Sequence, residues 1–161
     1  MRLYHGSIVA VPRPELGHAK RFLDFGPGFY VTSHRAQAIR WARRKAMRCA
    51  GSPVVSVYEM AEDLSAWRVF DFPDDRAWLD FVCSCRAGGE AWRAWDMVRG
   101  RVADDDVFKA VDAFLRGIWN VRRTLDALRY APENDQIAFL SQAAMDACLR
   151  FLGTEIPEGP P

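Results

Sequence analysis

Apolar side chains recur at two periods along this chain, and the switches between them mark out its elements. Val54-Val55-Ser56-Val57-Tyr58-Glu59-Met60 is β-branched and broken by single polar positions, which predicts a half-buried strand. Shorter runs of the same kind predict strands at Arg2 to His5, Phe29 to Thr32, Trp67 to Phe72, Trp95 to Val98 and Gln136 to Leu140. The period then lengthens over residues 34–49, where Ala38, Trp41, Ala42, Ala46 and Cys49 fall on one side of a helix. Arg35, Arg43, Arg44, Lys45 and Arg48 occupy the remainder, Ser33 or Thr32 can cap the first turn, and Gly51-Ser52-Pro53 ends it. Trp78, Phe81, Val82 and Cys85 are spaced i, i+3, i+4, i+7 and mark a second helix beginning near Asp74. Val107, Val111, Phe114, Leu115 and Ile118 mark a third, and Val121, Leu125 and Leu128 a fourth. A last helix is expected to run to about Leu152, leaving 153–161 as a flexible tail rich in proline and glycine.

Strands and helices in this order do not alternate regularly, so the pattern predicts a mixed α+β class with antiparallel character. Residues 1–152 are expected to form a single domain. A doubly wound dinucleotide fold has little support: Gly26-x-Gly28 lacks a third glycine, and a whole strand separates it from the next helix.

Half of the 161 residues are apolar, enough to bury a core. No apolar run approaches the roughly 18 residues that span a bilayer, and the first residues lack the charged-then-apolar pattern of a signal peptide. These features predict a cytoplasmic protein with no membrane partner. Cys49, Cys83, Cys85 and Cys148 show no zinc-ligand spacing, which points to free thiols, mostly buried, and no metal. Charge is lopsided: residues 1–50 hold 10 Lys/Arg against 2 Asp/Glu, and the rest hold 12 against 19. The first third is therefore the anion-facing part, suited to nucleic acid or to a small phosphorylated ligand.

Within that third, Phe25-Gly26-Pro27-Gly28-Phe29-Tyr30-Val31-Thr32 is a double-glycine turn running into an apolar strand. Glycines beside a proline let backbone turn tightly and lie close to a ligand, with Tyr30 facing it.

Leu3-Tyr4-His5-Gly6-Ser7, this turn, and the helix Ala36-x-Ala38-x-x-Trp41-Ala42 together resemble the core of ADP-ribosyltransferases of the poly(ADP-ribose) polymerase and diphtheria-toxin branch. Over roughly residues 1–152 the chain looks more closely like a bacterial family of uncharacterised function, DUF3990, which also carries a late Asp-Gln-Ile/Val-x-Phe. The resemblance implies a split, mostly antiparallel β-core with flanking helices, gripping NAD as co-substrate. His5 would bond a hydroxyl of the adenine-side ribose, and Gly6 would offer backbone N–H and C=O to the nicotinamide carboxamide. Tyr30 would stack on the nicotinamide ring and Trp41 would close the other face, while Ser7 and Gly28 complete the two site motifs. Arg35 or Arg40 would meet the pyrophosphate. Ala38 stands where the family often has a carboxamide-binding serine.

The family's catalytic glutamate begins a late strand, where this chain has Asn134-Asp135-Gln136-Ile137. Either Gln136 or Asp135 takes that place, Gln136 being favoured by the closer family. An amide can bond a ribose hydroxyl but cannot serve as a base or carry charge. Asp104-Asp105-Asp106 could supply a carboxylate or simply favour a helix start. The reading is a single ADP-ribose transfer to a macromolecular acceptor, protein or nucleic acid, by a chain that could be the toxin of a toxin–antitoxin pair. The alternatives are an NAD glycohydrolase, a non-catalytic NAD or ADP-ribose binder, and a nucleic-acid binder acting through Arg43 and Arg44.

Overall fold

The computed structural model describes residues 1–18, 23–102, 105–129 and 134–158. In chain order its elements are β1 (Arg2–Ser7), β2 (Phe29–Val31), α1 (Arg35–Cys49), β3 (Val54–Met60), β4 (Val69–Asp71), α2 (Asp75–Arg86), β5 (Met97–Gly100), α3 (Asp105–Leu115), α4 (Val121–Arg129), β6 (Gln136–Phe139), α5 (Gln142–Cys148) and β7 (Leu149–Glu155). The β-branched run Val54–Met60 is the middle of a three-stranded antiparallel sheet ordered β1-β3-β7. A second sheet is ordered β2-β6-β5-β4, antiparallel except for the β4–β5 pair. This is the α+β architecture that the pattern predicts.

Alternation along each strand decides what its two faces cover. Leu3 and Tyr58 from the first sheet meet Val31, Met97, Ile137 and Phe139 from the second, so the sheets pack on each other. Ala138 and Val98, one residue out of phase, pack with Trp78, Leu79, Val82, Val111 and Leu128 of α2, α3 and α4. On the far side, Ala38 and Ala42 of α1 lie on Val55. The order of layers is helix, sheet, sheet, helices.

Three expectations need correction. The tail does not leave the fold at 153: residues 149–155 are β7, paired with β3 from Met60↔Leu149 to Val55↔Glu155, and the last helix stops at Cys148. The basic face of α1 holds this segment, with Arg35 Nε 2.6 Å from Glu155 Oε2 and Arg43 Nη2 donating to the Glu158 carbonyl at 2.6 Å. Neither Ser33 nor Thr32 caps α1; His34 takes that position without a side-chain bond, and Thr32 Oγ1 donates to Asp135 Oδ1 (2.6 Å). Of the cysteines, all free, Cys85 and Cys148 are buried but Cys49 is exposed.

Candidate functional site

One backbone bridge joins the two sheets across β1 and the end of β2: Tyr4 and Thr32 exchange both of their hydrogen bonds, at 2.8 and 3.0 Å. Continuing that antiparallel register would set Gly6 opposite Tyr30. The ladder stops instead, because the His5 imidazole enters the gap and Nδ1 bonds the Tyr30 carbonyl at 2.7 Å. Backbone polar groups alternate sides along a strand, so the Gly6 N–H and C=O point the same way as those of Tyr4, towards the gap. Among the described residues no backbone bond joins Gly6 to Tyr30. The split between the sheets therefore leaves the Gly6 N–H and C=O without a backbone partner on β2, beside the histidine; Gly6 itself is buried and lines a neighbouring cavity of about 560 Å³ with Trp41 and Lys45.

A carbonyl only accepts, so Nδ1 of His5 carries the proton and Nε2 remains an acceptor. Burial pulls the imidazole down to about 4, against the raising effect of the Tyr30 carbonyl, and the Lys45 ammonium pulls it the same way. The ring is neutral at pH 7. It packs on Phe29 with centroids 4.5 Å apart.

Tyr30 is fixed by its hydroxyl, which donates to the Gly26 carbonyl at 2.7 Å and accepts from the Phe25 N–H at 3.0 Å. Burial raises this phenol well above its usual range, with the Phe25 bond opposing and the Asp24 charge adding to the rise. The ring is thus clamped to the glycine turn. The glycines serve packing: Gly26 has φ +94° and a Cβ there would lie 2.5 Å from Trp92, while one on Gly28 would lie 2.7 Å from the Phe139 carbonyl oxygen. The same holds for Gly6, whose missing side chain admits the Ala38 carbonyl of α1.

These residues meet in a cleft of about 1070 Å³ lined by His5, Ser7, Gly28, Phe29, Tyr30, Trp41, Lys45 and Gln136, and also by Arg13, Asp24, Arg86 and Phe108. Its size is at the upper end for small-molecule and cofactor sites, which run to about 1,000 Å³. Trp41 is half-buried and outside the apolar cluster beneath α1, so it faces the cleft and not the core. Ser7 accepts from Lys45 Nζ at 3.2 Å, placing a cation over the end of β1.

The two candidates for the glutamate position point apart. Gln136 is 4% exposed and lines the cleft. Asp135 faces the other way, where Oδ1 accepts from Thr32 Oγ1 and from the Ser33 N–H (2.8 Å), and its carbonyl accepts from Gln37 Nε2 (2.7 Å). It ties the turn before α1 to β6. Three further candidates lie elsewhere: Ala38 is buried beneath Gly6, Arg35 pairs with Glu155, and Arg40 is exposed and lines no part of the cleft. Asp104 falls outside the described residues.

The sequence did not single out the charges that line the cleft: Arg13, Lys45 and Arg86, and against them Glu15, Asp24 and Asp112. Asp24 had a visible signal: residues 1–50 contain two acids, Glu15 and Asp24, and both line this cleft. Among the described residues no cluster of three or more His, Cys, Asp or Glu could hold a metal, and no helix is long and apolar enough to cross a membrane.

No curated protein and no solved structure matches the chain. Residues 1–151 match the family described as "Protein of unknown function (DUF3990)". With His5-Gly6-Ser7, the Gly26-Pro27-Gly28 turn and Asp135-Gln136-Ile137 all inside that match, the chain belongs to the DUF3990 family.

Proposed function

We propose that this chain is a mono-ADP-ribosyltransferase that takes NAD as co-substrate, without a metal, and passes ADP-ribose to a macromolecular acceptor. The observation that carries the reading is the convergence of His5, Tyr30, Trp41 and Gln136 on one cleft at the split between the sheets, with Gly6 lining the adjoining cavity that shares Trp41 and Lys45. A carboxamide needs one acceptor and one donor in a fixed pair, which the Gly6 N–H and C=O offer. A flat cationic ring gains about 0.5–2 kcal/mol from aromatic faces such as Tyr30 and Trp41. Neutral His5 accepts a ribose hydroxyl at Nε2, and Lys45 and Arg13, which line the cleft as Arg35 and Arg40 do not, take the pyrophosphate role.

In the reaction the bond from the ribose anomeric carbon to the nicotinamide nitrogen breaks, and the electron pair leaves on nicotinamide. A nucleophile of the acceptor bonds to that carbon from the opposite face and gives up its proton to water. Incubating the full chain with NAD and cell extract should release nicotinamide and leave labelled ADP-ribose on a macromolecule. Label found only as free ADP-ribose makes the chain a glycohydrolase. A second reading, a module that holds NAD without turnover, is favoured by one feature: position 136 is an amide. It predicts NAD binding with no nicotinamide release under any condition.

A further inference from the structure

Gln136 faces the cleft where a reaction through a cationic sugar calls for negative charge. Its amide nitrogen lies 3.3 Å from Asp24 Oδ2 and 3.3 Å from the Arg101 carbonyl oxygen. Both neighbours are acceptors, so the nitrogen and not the oxygen must sit between them, and its two hydrogens are spent. Oε1 is the atom left to face the cleft.

Asp24 is held in turn. Its other oxygen, Oδ1, takes Arg86 Nε at 2.8 Å and Nη2 at 2.7 Å, and the two side chains are only 16% and 11% exposed. The Arg86 guanidinium, at the end of α2, stacks 4.4 Å from the Phe108 ring. The arginine thus anchors one carboxylate oxygen and leaves the second for the amide.

From this geometry we infer that Asp24 is a positioning residue for Gln136: its carboxylate orients and polarises the amide, so that Oε1 presents to the nicotinamide-ribose hydroxyl the electron density a glutamate would present directly. Hydrogen bonds in series strengthen one another where water is excluded, and an acceptor bonded to the amide N–H increases the negative character of the amide oxygen. The inference rests on the NAD reading above. It assigns Asp24 no contact with substrate.

The test compares nicotinamide release from NAD, kcat and KM separately, for the full-length wild type, Asp24→Asn, Gln136→Glu and the exchanged pair D24N/Q136E. Asp24→Asn should lower kcat about tenfold or more with little change in KM, since the interaction lost grows as charge develops. The exchanged pair, with the amide at 24 donating to a carboxylate at 136, should recover at least wild-type kcat. A role confined to stability lowers the melting temperature without that recovery. Wild-type kcat in Asp24→Asn, or no recovery in the exchanged pair, overturns the inference while leaving the NAD reading standing. A wild type that neither binds nor cleaves NAD overturns both. If Asp24→Asn does not fold, hydrogen exchange of the Gln136 side-chain amide in the wild type decides: protection of both protons is expected, and free exchange at the solvent rate overturns the inference.

Discussion

A methyl group on residue 6 would sit 2.1 Å from the Ala38 carbonyl oxygen and 2.8 Å from the Ala42 nitrogen, both fixed backbone of α1. Neither can swing aside as a side chain could, so Gly6→Ala must push the helix off β1. A loss of about 1–3 kcal/mol is expected in urea unfolding, the range for overpacking; a variant as stable as the parent would show that α1 is not seated on this strand. His5 gives a pH prediction. Its folded value of about 4 lies below the roughly 6.5 of an unfolded histidine, so the unfolded chain binds the proton more readily. Stability is therefore insensitive to this group above about pH 6.5 and falls as pH drops from there towards 4. NMR titration of the ring should show a midpoint near 4, and a midpoint above 6 contradicts the account. The glycine turn was legible as a turn, but its cause was not. Gly26 and Gly28 make room for Trp92 and for the β6 backbone, contacts distant in sequence that no local pattern reveals.

Most elements were visible because their own residues specify them. Asp74 caps α2 by accepting the Ala77 N–H at 2.7 Å, and Val54–Met60 carries enough β-branched residues to be a strand wherever it is placed. β7 was not visible. Leu152 falls on its exposed side, Gly153 interrupts its inner face with φ +149°, and the composition beyond reads as tail. What makes it a strand is the far edge of β3, with Arg35 and Arg43 of α1 holding Glu155 and the Glu158 carbonyl. Basic residues that looked free for nucleic acid are in part fastening the chain to itself. Ending the chain at Cys148 should therefore expose that edge and the Phe151 contact with Tyr58, and abolish cooperative thermal unfolding. An unaltered melting curve would show that β7 is dispensable.

At the scale of the molecule, the site exists because two sheets that pack on a shared core part company at one end. Among the described residues one bridge, Tyr4 to Thr32, marks the parting, followed at once by a histidine ring where the next backbone pair would form. His5, Tyr30 and Trp41, three of the residues that line the cleft, stand in short sequence motifs. Arg13, Lys45 and Arg86 carry no such motif, since each reaches the cleft through a fold-level placement, and Asp24 was marked only as one of two acids in the first 50 residues. Strand alternation turns Asp135 towards Thr32 and Gln136 towards the cleft, a difference that the sequence left open. The most direct measurement is a crystal structure of the full chain soaked with NAD. The account predicts the carboxamide on the Gly6 N–H and C=O, the nicotinamide ring against Tyr30 and Trp41, and a ribose hydroxyl on Gln136 Oε1. NAD bound away from the parting of the sheets, or an empty cleft at saturating NAD, would contradict it.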